Sequence, residues 1–245
     1  MDSGFYAACT ALVSRTQALD TVANNLANAS TVGFRAERNV FQSVMADRSA
    51  ASNSALDRAM NAYGILSGTT IDESQGALQK TGNDLDVAIE GKGYFVVQTP
   101  NGEMYTRNGA FQLSSSGQLI TAAGDPVVGD RGPITILPGR VSISADGTIS
   151  SNGAVSGKLK VVEFPATTQL SSFGNTYYQA PPDTAKAATS SKIRQGMLES
   201  SNVNPVLSMV ELVNAQRTAE MMQRALNMMG TEMDKTATQE LPKVG

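Results

Sequence analysis

The sequence predicts an α+β fold in which two terminal helices form an antiparallel, coiled-coil-like pair. A mainly antiparallel β domain, barrel- or sandwich-like, is inserted between them. Three observations carry this expectation. Apolar residues recur at alternating three- and four-residue steps near the start of the 245-residue chain, and the same spacing returns near its end. Between these seams, glycine and proline punctuate short β-prone runs.

Residues 4 to 29 hold no proline and, after Gly4, no glycine; Phe5, Ala8, Leu12, Leu19, Val22 and Leu26 fall on one seam that only Arg15 interrupts. This is the narrow stripe of a coiled coil rather than a broad core face. Asn24, Asn25 and Asn28 crowd its end. Their short amides compete for backbone hydrogen bonds, which makes them mediocre helix formers. The three share one patch of helix surface. Residue chemistry alone leaves open whether the patch is fraying ahead of a turn or a built contact.

Residues 42 to 75 are a Ser/Ala/Asn-rich connector of weak periodicity, expected as a long loop or strand-like arm. From residue 76 to 196 turn signals dominate. Asn101-Gly102 and Asp146-Gly147 each stand between β-prone runs, and Ser116-Gly117, Asn152-Gly153 and Gly124-Asp125-Pro126 add further turns. Turns at this density predict an antiparallel β domain.

Near Ser201 the character changes. Asn204 is an expected N-cap, with Pro205 at the first helical position, where a missing N–H costs nothing. Leu212, Ala215, Ala219, Met222, Leu226, Met229 and Met233 then repeat the three-four alternation. A helix from Pro205 to Thr236 would run roughly 48 Å at about 1.5 Å per residue. Met209, Val210 and Val213 face away from this seam, while Met221, Ala225 and Met228 flank it. One antiparallel partner covers one stripe, so a second stripe is left needing a neighbour. Methionine suits such a surface because it adapts to differing partners. The expected organisation is an N-terminal helix in 1–33, a connector in 34–75, a β domain in 76–200 and a C-terminal helix in 201–245, the two helices composing one core domain.

Composition narrows the chemistry. Hydrophobic residues make up 41% and charged residues 17%, as in a globular chain. Nineteen basic and 22 acidic side chains give a net charge of -3 with no basic block, so nucleic acid is not an expected partner. There is no histidine and a single cysteine, Cys9, expected as a small buried hydrophobe. Histidine acid–base catalysis, His- or Cys-ligated zinc and an intrachain disulfide are thereby removed. No apolar window reaches membrane-span length, and no cleaved secretory signal is expected.

Four short patterns have sharper alternatives, each weaker than its ordinary explanation. Gly91-Lys92-Gly93 lacks the third glycine of a dinucleotide loop and the Lys-Ser/Thr of a P-loop, so it is expected to join strands. Asp84, Asp86 and Glu90 invoke paired-carboxylate chemistry but read as solvated strand and turn residues. The methionine stripe suits reduced copper, yet it continues a Leu/Ala seam. Asn28-Ala29-Ser30 fits a glycosylation acceptor by chance. A rival of another class, a carbohydrate-binding or carbohydrate-active β module on a coiled-coil stalk, needs clustered aromatics; six Tyr and seven Phe are thinly spread.

Longer stretches carry a family signature. ANNLANASTVGFRAERNVF resembles the N-terminal motif of bacterial flagellar rod and hook proteins. GNDLDVAIEGKGYFVVQTPNGEMYTRNGAFQLSSSGQLIT is similar to their central β segment, and GMLESSNVNPVLSMVELVNAQRTAEMMQRALNMM to their C-terminal helix. The length, the start MDSGFY, the Met-rich final helix and Thr218-Ala219 after the N-A-Q-R element resemble the proximal-rod type, with the distal-rod type a near neighbour from whose usual ending the closing ELPKVG differs.

The resemblance implies a non-enzymatic axial subunit of the basal-body rod, part of the motility drive shaft, with no cofactor, metal or small-molecule substrate. It implies type III export through the flagellar export apparatus without a cleaved signal, and partners among other rod proteins and copies of the same chain. It also implies helical assembly, with the terminal helices packed along the inner wall of a tube. Leu12, Leu19, Leu26, Leu212, Ala219, Met222, Leu226 and Met229 then form the assembly seam. Asn24, Asn25 and Asn28 meet adjacent subunits, where buried amides fix register. Gly33 is expected to let the chain reverse and Phe34 to anchor that turn against the helix pair.

Overall fold

The computed structural model describes residues 2–42, 65–174 and 176–239. Most of the 42–75 connector therefore lies outside the described residues, as do the closing residues 240–245 and the side chains of Phe5, Ala8, Met229 and Met233. Two helices bracket the chain, α1 (Asp2–Ala27) and α2 (Pro205–Gln239). Among the described residues the elements between them are strands, and every pairing whose register is defined is antiparallel. The fold is α+β.

The described residues fall into two compact units. One comprises Ala27–Glu37 and Thr70–Asn204; the other gathers α1, the described residues of Arg38–Thr69, and α2. The turn after α1, with Gly33 and Phe34, thus belongs to the β unit rather than to the helices.

The β unit is built on a six-stranded sheet ordered Ser171–Phe173, Tyr177–Gln179, Gly102–Thr106, Tyr94–Thr99, Val161–Glu163 and Lys186–Ala187. Strand Tyr94–Thr99 lies inside this sheet and is apolar on both faces. Phe95 and Val97 join one core with Val87, Ile89, Met104 and Phe111, while Tyr94 and Val96 join a second with Val128, Val162 and Tyr178. Side chains alternate across a strand, so the unbroken run YFVV marks a strand covered on both sides.

One loop form recurs in this unit. Ser114-Ser115-Ser116-Gly117-Gln118, Thr121-Ala122-Ala123-Gly124-Asp125 and Ser144-Ala145-Asp146-Gly147-Thr148 each close with two backbone hydrogen bonds of 2.9 Å, first residue to fifth and fourth to first. The glycine takes the positive φ (77°, 92° and 89°) that this three-residue hairpin loop requires. Asn152-Gly153 is the shorter alternative, with both residues at positive φ between paired Ser151 and Ala154.

The Asn101-Gly102 signal marks its hairpin but not the corner itself. Thr99 pairs with Gly102, so Pro100 and Asn101 make the turn. Proline presets φ for the first corner position, and the Thr99 hydroxyl fixes the rest by accepting from Asn101 N–H (3.2 Å) and donating to the Gly102 carbonyl (2.9 Å).

The helical unit contrasts with this packing. Among described side chains, no large hydrophobe of α1 or α2 is fully buried; the buried positions there are Ser14, Thr21 and Ser208. Thr21 donates to the Gln17 carbonyl and contacts Asn39 Oδ1, both at 3.0 Å. Asn39 stands on strand Glu37–Gln42, which pairs with Ile65–Ile71 to form the described part of an arm.

Candidate assembly site

The outward face of α2 is the clearest candidate surface. Val206, Val210, Val213, Arg217, Met221, Arg224 and Met228 are spaced four, three and four residues apart, twice over, and all seven are exposed. The five apolar members are between 46% and 68% exposed. Such an eleven-residue repeat runs almost straight along a helix with a slight right-handed drift. The half-buried Leu212, Ala215, Ala219, Met222 and Leu226 follow the seven-residue repeat on the opposite side. Two stripes therefore divide the helix, and the outer one is open to water. On α1, Leu12, Leu19 and Leu26 are likewise only half-buried.

The asparagines divide their roles. Asn24 is exposed and Asn25 half-buried, whereas Asn28 is buried and closes the helix end: Thr31 donates to it through Oγ1 (to Oδ1, 3.1 Å) and through its backbone N–H (to the carbonyl, 3.0 Å). Beyond it the chain turns at Gly33, at φ +71°, where a Cβ would overlap the backbone of Arg107 and Asn108. Only glycine fits there. Phe34 is buried in the β unit.

Arg35, next in line, enters a cluster that the sequence patterns did not foretell. Arg35 Nη2 lies 2.7 Å from Glu199 Oε1, a charge contact off the line of a hydrogen bond. Arg107 Nη1 donates to Glu199 Oε2 at 3.2 Å, and the Gly76 N–H donates to Oε1 at 2.9 Å. The Glu199 carbonyl accepts from Gly33 N–H at 2.8 Å. Arg107 Nη2 also donates to the Gly91 carbonyl (2.6 Å), and its guanidinium sits 4.9 Å from the Tyr94 ring centre.

All three ionic side chains are essentially inaccessible. Two cations face one carboxylate in a dry setting. Burial pushes Arg107 below the ordinary arginine value and the Arg35 charge adds to that push, with Glu199 opposing both. The Tyr178 hydroxyl accepts from Arg35 N–H (3.0 Å), and Asn202 accepts from Ala36 N–H (2.7 Å) while donating to the Asp72 and Ser74 carbonyls (3.0 Å each). This knot fastens the chain where it has just left α1 and where it is about to begin α2. Arg35, Arg107 and Glu199 fall in three separate stretches of the sequence, and nothing there pointed to their meeting.

Two of the candidate carboxylates are otherwise engaged. Asp86 accepts from Asn83 (3.0 Å) and Glu90 pairs with Arg194 (2.7 Å). Gly91, Lys92 and Gly93 connect strands Val87–Glu90 and Tyr94–Thr99. A groove of about 430 Å³ includes Tyr105, Glu103 and Lys160, but Glu103 is paired with Lys160 (3.3 Å) and the Tyr105 ring packs edge-on against Phe164 (4.8 Å). Cys9 is half-buried. Among the described residues no helix is long and apolar enough to cross a membrane.

A closely packed β unit joined to long helices that leave an apolar stripe bare defines a structural assembly protein. Comparison with known proteins specifies which kind. Residues 5–35 match the family described as Flagella basal body rod protein, residues 88–156 the Flagellar hook protein FlgE/F/G D1 domain, and residues 194–240 the Flagellar basal body rod FlgEFG protein C-terminal family. The chain is 34% identical over 249 aligned residues to the flagellar basal-body rod protein FlgF of Caulobacter vibrioides, covering 100% of both chains. It is 36% identical to FlgF of Salmonella typhimurium, covering 92% of this chain and 93% of the relative. FlgG of Buchnera aphidicola from Schizaphis graminum is 35% identical, covering 85% and 88%. The chain belongs to the flagellar basal-body rod protein family, a family of structural subunits, and is most like its FlgF members.

Proposed function

We propose that this chain is a non-catalytic, proximal-rod-type axial subunit that assembles helically through its terminal helices. α1 and α2 pair antiparallel along the seam of Leu12, Leu19, Leu26, Leu212, Ala219, Met222, Leu226 and Met229. Neighbouring rod proteins or further copies cover what remains. The chain reaches the periplasm-spanning rod through the flagellar export apparatus without a cleaved signal. The observation that carries this function is the outward stripe of α2, whose five large apolar side chains are exposed. Stripes of that size on an isolated chain mark an interaction surface.

The test is labelled-antibody electron microscopy of isolated basal bodies. Label at the membrane-proximal part of the rod is expected; label confined to the distal part would favour the FlgG-like alternative, and its absence from the rod would refute the assignment. Far-UV circular dichroism of the purified monomer supplies a second check. Little helix is expected before assembly and more after it, because a helix pair with an uncovered stripe gains too little burial to offset chain ordering. A monomer that is already fully helical and melts cooperatively counts against assembly-coupled ordering.

A further inference from the structure

The outward stripe of α2 is not uniformly apolar: Arg217 and Arg224 punctuate it two turns apart. Arg224 has a neighbour of its own, Glu220, at 3.9 Å. Arg217 has no carboxylate partner among the described residues. A second copy of α2 is a poor cover for this stripe, since guanidinium would oppose guanidinium.

α1 presents a surface of complementary charge. Thr10, Val13, Gln17, Asp20, Asn24 and Ala27 are exposed at alternating three- and four-residue steps, which places them on one outward face. Asp20 is the acidic member of that face and has no cationic partner among the described residues. Gln17 flanks it by about one turn and offers an amide oxygen to the same guanidinium.

We propose that the outward stripe of α2 docks on the outward stripe of α1 from a second copy, with Arg217 of one copy paired to Asp20 of the next. This rests on the assignment of the chain as a self-associating rod subunit. The contact is heterologous: each copy offers an α2 face to one neighbour and an α1 face to another, so the same bond propagates without closing. The ion pair sets which face is chosen, and the valines and methionines around it supply the burial.

Charge reversal in a cell lacking its own copy of this chain tests the pairing and its geometry. D20R alone and R217E alone are each expected to lower rod-containing basal bodies at least ten-fold. The double variant D20R/R217E in one chain should restore them to within about two-fold of the unaltered chain. Co-expression of the two single variants should restore them as well. The carboxylate introduced by R217E then meets the guanidinium introduced by D20R across one contact, while the native Arg217 and Asp20 meet across the next.

Rescue by the double variant but not by co-expression would mean that the pair forms within one chain and would overturn the proposal. Single variants that assemble normally would overturn it too, as would failure of both combinations to restore rods. The neutral variants D20N and R217Q, which leave no like charges facing, should give milder losses; losses as deep as those of the reversals would also overturn it. Thermal melting of the β unit, unchanged in every variant, separates loss of contact from loss of fold. If the unaltered chain is itself missing from basal bodies, the rod assignment fails and not merely this pairing.

Discussion

The β unit and the helical unit solve opposite problems with the same chain. In the β unit Val87, Ile89, Phe95, Val96, Val97 and Met104 are wholly inaccessible and two charged arginines are sealed around one glutamate. In the helices no described large hydrophobe is fully buried, and the hidden side chains are serine and threonine. A region that finishes its core alone gains its burial from its own residues. One that keeps its valines and methionines outside leaves that burial to be gained elsewhere, as the proposed assembly requires. The difference teaches where the chain is a folded object and where it is one part of a larger one.

The sharpest way to break this contrast is to damage the sealed unit from within. Glu199→Ala leaves Arg35 and Arg107 buried without their anion, and breaking a buried pair in this way costs about 3–5 kcal/mol. Urea denaturation followed by tyrosine fluorescence should show that loss in the β unit. Gly33→Ala should cost at least about 2 kcal/mol, from the left-handed φ and the overlap with the Arg107–Asn108 backbone.

The helices should respond in the opposite sense. Val210→Asp on the open stripe should change monomer stability by less than about 0.5 kcal/mol, as for other exposed substitutions, while abolishing rod assembly and swimming. Leu226→Asp on the inner seam should likewise stop swimming while the β unit melts normally. An assembled, swimming Leu226→Asp strain would remove that residue from the interface.

The smallest effect belongs to Tyr177. Its hydroxyl is shared with Thr121 (2.9 Å) and donates to Asp125 (2.7 Å), and burial together with the Asp125 carboxylate holds its pKa up at about 12, with the Thr121 contact opposing. The folded chain therefore keeps this proton where the unfolded chain, near 10, releases it. Its contribution is complete below pH 10 and lost as pH rises toward 12. Burial also raises Tyr94, Tyr105 and Tyr178, so absorbance at about 295 nm should show several tyrosines ionising late, and Tyr177→Phe should lower the late amplitude by one tyrosine.

Much of this was legible in the sequence because it is local. The Pro205 helix start, the Asn152-Gly153 turn and the apolar run of Tyr94–Thr99 are each dictated by residues within a few positions of one another. The outward position of Val210 and Val213 was legible too, since helical geometry alone assigns a face. The corner at Pro100 and Asn101 was displaced by one residue from the Asn-Gly signal, because a proline and a threonine hydroxyl outweighed the dipeptide. Glu199 and its two arginines were not legible at all. They come from three distant segments, and no periodicity announces an ion that folding will bury.

That buried glutamate has a mechanical corollary. Pulling on either long helix strains the polypeptide at Gly33–Arg35 or at Glu199–Asn202, and both stretches grip one carboxylate and its backbone from different directions. Force passed along either end of the chain would meet the Gly33, Gly76 and Arg107 hydrogen bonds to Glu199 and its charge contact with Arg35 as one joint, like a rivet through overlapping plates.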